Sequence, residues 1–134
     1  MNFEKYTEHS QKVIQLAETE ARQLKHQQLT GLHVFFALLK HRDGLASRLL
    51  KDSGGNPELA LNRAHFALSK LPKIEGNGAG QVFLADETAR IFSEAESLSE
   101  KSGDKFVTVE RLLLAILNIR ETILPFTNTR SILV

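Results

Sequence analysis

The segment Thr30-Gly31-Leu32-His33-Val34-Phe35-Phe36-Ala37-Leu38-Leu39 returns 78 positions later as Thr108-Val109-Glu110-Arg111-Leu112-Leu113-Leu114-Ala115-Ile116-Leu117. Each copy begins with a threonine and runs straight into an apolar stretch of helical character. An internal repeat constrains the fold more than any single residue, because one unit cannot bury its apolar face alone and must pack on its copy. The offset also holds upstream. Val13-Ile14 falls on Ile91-Phe92, Ala17-Glu18 on Ala95-Glu96, Ala21 on Ser99 and Leu29 on Val107. Each half therefore reads as a long helix, a short polar connection, a capping threonine and a second helix.

The spacing of apolar residues predicts six helices, at 8–25, 31–40, 45–51, 57–71, 87–101 and 109–118, and no sheet. Thr7, Thr30 and Thr108 are the expected N-caps, since a threonine hydroxyl can accept from the otherwise unpaired N–H groups of the first turn. Asn56-Pro57-Glu58 is a further start signal, with Pro57 at the first helical position. Leu32, Phe35, Phe36 and Leu39 are expected on the buried side of the second helix. Six of the eight phenylalanines, Phe35, Phe36, Phe66, Phe83, Phe92 and Phe106, are read mostly as core, because a small domain needs large apolar groups to offset its ordering entropy. Residues 1–72 form the first repeat, 73–81 a glycine-rich linker and 82–118 the second repeat. Residues 119–134 form a divergent tail, interrupted by Pro125 and expected to pack poorly. The missing last helices of the second repeat would leave apolar surface uncovered around Leu113 and Ile116.

Composition narrows the function classes. A net charge of +1 lacks the basic excess of a nucleic-acid footprint. The absence of cysteine removes disulfides, thiolate metal sites and cysteine nucleophiles together. No apolar run approaches the ~20 residues of a membrane helix, and no signal peptide follows the polar N-terminus. A cytoplasmic protein is expected. Gly76, Gly78 and Gly80 lack the Lys-Ser/Thr pair and the preceding buried strand of a phosphate loop. His9, His26, His33, His41 and His65 show no metal-ligand spacing, and His33 reads as a polar-face residue. Ser93, Ser97 and Ser99 read as helix-surface serines, and Glu94, Glu96 and Glu100 as a solvated face. No catalytic residue, metal or cofactor is expected, so a helical hydrolase is the weakest of three function classes.

The paired capped helices, Phe3-x-x-Tyr6-Thr7 and Leu71-Pro72-Lys73 ahead of a glycine-rich link resemble the Clp repeat domain, the N-terminal domain of the Clp AAA+ unfoldases and disaggregases. Gly80-Gln81-Val82-Phe83-Leu84-Ala85 and the run Gly103 to Ala115 are most similar to the disaggregase (ClpB) branch. The resemblance implies an all-α fold of two tandem helical repeats about a pseudo-two-fold axis, with the second repeat incomplete at the C-terminus. It implies a protein-binding module that captures unfolded or aggregated proteins, or docks an adaptor, for an ATP-dependent chaperone. The alternative is a regulatory subunit that packs on a Clp assembly without taking substrate. By position, the implied contact residues are Thr7, Asp104 and Glu110, with Phe92 and Leu98 in an apolar groove between the repeats. Two departures stand out: Leu32 replaces a usual glutamate, and Arg111 follows Glu110. No Walker motif is present, so the residues here are expected to act without hydrolysing ATP.

Overall fold

The computed structural model describes residues 2–41, 44–74 and 81–119. Six α-helices dominate: α1 Glu8–Gln23, α2 Gly31–Lys40, α3 Leu45–Asp52, α4 Pro57–Ser69, α5 Asp86–Lys101 and α6 Val109–Asn118. The expected spans agree to within two residues at each end. A 3-10 turn at Phe3–Lys5 precedes α1. The expected linker is described only at its edges, and residues 120–134 lie outside the described residues, as does the expectation about the tail.

The three threonine caps form as the sequence predicts. Thr7, Thr30 and Thr108 accept from the backbone N–H of Ser10, His33 and Arg111. Asn56 caps α4 in the same way, with Pro57 at the first helical position. Gly54, at φ +91°, closes the turn after α3.

The absence of a sheet is corrected. Gln28–Leu29 (β1) pairs in parallel with Phe83–Leu84 (β2), in the register Gln28 to Phe83 and Leu29 to Leu84. Tyr6 makes an isolated parallel bridge to Val107. The two pairings are one arrangement seen twice, since Leu84 lies 78 positions after Tyr6 and Val107 lies 78 after Leu29. Each repeat thus donates its leading strand to the other.

Hydrogen bonds repeat the exchange atom for atom. The Val107 carbonyl accepts from the Thr7 N–H at 3.1 Å and from the Ser10 hydroxyl at 2.9 Å. The Leu29 carbonyl accepts from the Ala85 N–H at 3.1 Å and from the Thr88 hydroxyl at 2.7 Å. Ser10 and Thr88 are both fully buried. A buried hydroxyl needs a partner to offset its desolvation, and the other repeat's carbonyl provides it.

The centre of the core is α2. All nine residues from Gly31 to Leu39 are buried, rather than the one face the periodicity predicts. A helix that is apolar all round must be surrounded, and α2 packs against α1, α3, α4, α5 and α6. The expected uncovered surface is found beside Leu113, where an open hollow is lined by Leu113, Leu114 and Leu117, although Leu113 itself is buried; it is not found at Ile116, which is fully buried. Helix α3 of the first repeat packs against α6 of the second, and Leu114 on α6 is exposed. Among the phenylalanines, Phe35, Phe36 and Phe92 are core, but Phe66, Phe83 and Phe106 are exposed. The ammonium groups of Lys70 and Lys105 lie over the Phe66 and Phe106 rings at 4.8 and 5.6 Å.

The turn after each long helix also repeats, with one flaw. Gly103 takes φ +75° and its counterpart Lys25 takes φ +61°. A side chain in this region costs ~1–2 kcal/mol, against ~0.4–1 kcal/mol of extra unfolded-state freedom for glycine. Lys25→Gly is therefore expected to stabilise the protein by about 0.5–1 kcal/mol in urea unfolding, while Gly103→Lys destabilises it.

Candidate protein-binding site

The five residues singled out by resemblance do not share one surface. Thr7 is half-buried, held by its cap bond and by its N–H to Val107. Phe92 is buried in the core with its ring edge-to-face against Tyr6, centroids 6.1 Å apart. Leu98 is partly buried and packs against the core. Asp104 receives the Arg111 Nε–H at 3.0 Å in a partly exposed ion pair. Glu110 is exposed and faces a different place, a hollow between α3 and α6.

That hollow has a volume of about 170 Å³ and is lined by Leu49, Leu50, Leu113, Leu114 and Leu117, with Ser53 and Glu110 as its polar lining. Its walls come from helices of opposite repeats. On α6, Glu110, Leu113, Leu114 and Leu117 lie at the i, i+3, i+4 and i+7 positions of one helical face. The resemblance named Glu110 in a groove with Phe92 and Leu98, and the sequence reading marked the surface around Leu113; neither joined them to Leu49 and Leu50, because α3 and α6 belong to units that spacing alone does not bring together.

Asp104 lines a second hollow, of about 150 Å³, with Lys5, Glu96, Ser99, Lys105 and Val107 among its walls. Ser99 is buried and donates to the Ala95 carbonyl at 3.0 Å, which corrects its reading as a surface residue. Glu96 is also more than a solvated carboxylate, since it accepts from the Tyr6 hydroxyl at 2.8 Å. Burial raises the Tyr6 pKa, and the Glu96 hydrogen bond and charge raise it further, so the phenol stays a donor.

The equivalent of the Asp104–Arg111 pair in the first repeat is His26–His33, and it corrects the reading of His33. Both imidazoles are buried, with His26 Nδ1 2.8 Å from His33 Nε2. The Thr30 N–H donates to His33 Nδ1 at 3.0 Å, which completes a capping box for α2. A nitrogen that accepts carries no proton, so the His33 proton is on Nε2 and is given to His26 Nδ1. The His26 proton is then on Nε2, a buried nitrogen with no partner among the described residues. Burial and, next, the charge of Lys73 lower the His26 pKa. Burial and, next, His26 lower that of His33 to about 4. Among the described residues no group of three or more His, Cys, Asp or Glu side chains could hold a metal ion, and no helix is long and apolar enough to cross a membrane.

Residues 5–125 match the family model of the Clp repeat (R) N-terminal domain. The chain belongs to this family. It is 51% identical over 116 residues to the chaperone protein ClpB of Rhodopseudomonas palustris, a match spanning 87% of this chain and 13% of that protein. Against ClpB of Rickettsia felis the identity is 35%, over 87% of this chain and 14% of the relative. The chain thus spans about an eighth to a seventh of the length of these relatives. Among solved structures, the Hsp104 N-terminal domain from Candida albicans superposes with a TM-score of 0.79 at 18% identity, covering 95% of this chain and 85% of that one. The N-terminal domain of the ClpV1 ATPase from Escherichia coli gives 0.78 at 15% identity, covering 98% and 82%. These likenesses carry the fold, which in this Clp repeat domain is the all-helical pair of repeats with its small exchanged strands.

The histidine pair makes this Clp repeat domain acid-sensitive in one half. With folded pKa values below the usual 6.5, both rings are neutral in the native state, and the unfolded chain binds more protons below that pH. Stability is full above about pH 6.5 and falls as the pH drops, and the His33 contribution is exhausted below about 4. Protonation at His33 Nδ1 also breaks the capping box. Urea unfolding across this range should show the slope in the parent. In the double variant His26→Asp/His33→Arg, which transplants the second repeat's pair, the part due to this pair should disappear.

Proposed function

We propose that this Clp repeat domain is a protein-binding module that captures unfolded or aggregated segments, or an adaptor, on behalf of a ClpB-type ATP-dependent chaperone. The observation that carries the reading is the leucine-lined hollow between α3 and α6 with Glu110 in its wall. An unfolded segment exposes aliphatic side chains that fit such walls, and a basic residue flanking them would meet Glu110. Leu98 and Asp104, near the C-terminal end of α5, offer a second contact zone. Thr7 and Phe92 act through the fold, as helix cap and as core. The module itself performs no chemistry, and ATP hydrolysis and threading belong to the longer relatives.

The size of the hollow limits the affinity. Burying apolar surface is worth roughly 25 cal/mol per Å², so two or three side chains contribute only a few kcal/mol before ordering costs are met. Binding is therefore expected at about micromolar or weaker. Weak capture suits a module that must release its client to a translocating machine. The experiment is an NMR titration with a permanently unfolded protein. Shifts are expected at Leu49, Glu110, Leu114 and Leu117. Leu114→Ser should weaken binding about tenfold, the effect of ~1.4 kcal/mol, and Leu98→Ser by less. Glu110→Ala should give a smaller loss that fades as salt rises. Unchanged affinity in folded Leu114→Ser would remove the hollow from the site. No binding at millimolar client would favour a regulatory partner that packs on a Clp assembly.

A further inference from the structure

His9 and His41 meet where their spacing in the sequence gives no sign of it. His9 lies in the first turn of α1, and His41 caps the C-terminal end of α2. They are 32 residues apart, yet His9 Nδ1 stands 3.3 Å from His41 Nε2. The rings are edge to face, with centroids 5.5 Å apart. His9 is exposed and His41 half-buried. The distance between the two nitrogens is informative. Zinc–imidazole bonds are about 2.0–2.1 Å long, so two imidazoles of one tetrahedral site hold their nitrogens about 3.3–3.4 Å apart. Adjacent ligands of a square-planar ion at the same bond length would be about 2.8–3.0 Å apart. The second histidine pair makes a contrast. His26 Nδ1 and His33 Nε2 are 2.8 Å apart, both rings are buried, and His33 Nδ1 is held by the Thr30 N–H. That pair belongs to the cap of α2.

We propose that His9 and His41 bind a zinc ion between them, through His9 Nδ1 and His41 Nε2, with water in the remaining tetrahedral positions. Both imidazoles bind in the neutral form, each carrying its proton on its other ring nitrogen, His9 Nε2 and His41 Nδ1. The nitrogens already stand at the separation the ion requires, so the rings need only turn until both lone pairs meet at one point. A hydrogen bond between side chains that water can reach contributes little, and its loss to the ion costs little. Zinc suits imidazole nitrogen, whereas magnesium and calcium take oxygen ligands. The ion would tie the first turn of α1 to the end of α2, two helices that already pack on each other. The leucine hollow between α3 and α6 is a separate surface, and the proposal does not rest on it.

The test is a titration of the full chain with zinc chloride at about pH 7.5, read by NMR of the imidazole nitrogens. His9 Nδ1 and His41 Nε2 should shift together, while the rings of His26, His33 and His65 should not. With two protein ligands in place of the four of a structural site, the expected Kd is ~10–100 µM. Zinc at about 1 mM should then raise the melting temperature by a few degrees, because it binds the folded pair and not the separated residues. Magnesium at the same concentration should leave it unchanged. His9→Ala and His41→Ala should each weaken zinc binding at least tenfold and remove the rise in melting temperature. Three results would overturn the proposal: no shift of either ring at about 1 mM zinc, shifts centred on other histidines, or zinc binding by folded His9→Ala or His41→Ala as tight as by the parent. The two rings would in those cases be a hydrogen-bonded pair and nothing more.

Discussion

Two carbonyl groups hold the architecture together. Leu29 and Val107 each accept a backbone N–H and a buried hydroxyl from the opposite repeat. Removing either hydroxyl would cost one of the two hydrogen bonds to its carbonyl, ~0.5–1.5 kcal/mol. Both pairs of bonds cross between repeats, so neither repeat completes its own strand pairing. The core is shared for the same reason. Helix α2 is enclosed by helices of both halves, and α3 crosses to cover α6.

The backbone pattern shared by α1–α2 and α5–α6 makes the differences between the two halves informative. At one equivalent position an ion pair, Asp104–Arg111, becomes a buried imidazole pair, His26–His33. The ion pair is partly exposed and is worth little in water. The imidazole pair is buried, neutral and tied to the cap of the most buried helix. At another, the buried Tyr6 becomes the half-exposed Leu84. Both substitutions leave the backbone pattern intact, because the carbonyls, caps and positive-φ turns that define it lie at other positions. The scaffold is symmetric, and the chemistry placed on it is not.

Much of this was legible in the sequence, for identifiable reasons. Helix spans followed from apolar periodicity and from the hydroxyls of Thr7, Thr30 and Thr108, which are local signals. The repeat offset identified equivalent residues before any packing was seen. What could not be read was contact across repeats. Two-residue strands such as Gln28–Leu29 are too short to show alternation. Helix α3 packs on α6 from the other unit, a contact that spacing does not show. Phe66, Phe83 and Phe106 have the same side chain as Phe35 and Phe92 but lie outside the core, and side-chain type does not distinguish them. His33 misled because its partner is seven positions back across a turn. The one available signal was the offset itself, which aligns His26 and His33 with an oppositely charged pair. Of the candidate site, Glu110 was named by resemblance and the surface around Leu113 by the repeat, while joining them to Leu49 and Leu50 required α3 and α6 to be seen side by side.

The exchanged strands also set an order of events during synthesis. Ser10 and Tyr6 leave the ribosome early, but their acceptor and strand partner on Val107 are made 97 residues after Ser10. Until then the first repeat has helices and caps but an open edge beside Leu29, waiting for Phe83, Leu84 and Thr88. Contacts of such long sequence separation slow folding, because loop closure precedes their reward. During synthesis this chain therefore cannot complete its strand pairing until Val107 has emerged, and until then the edge beside Leu29 stays open.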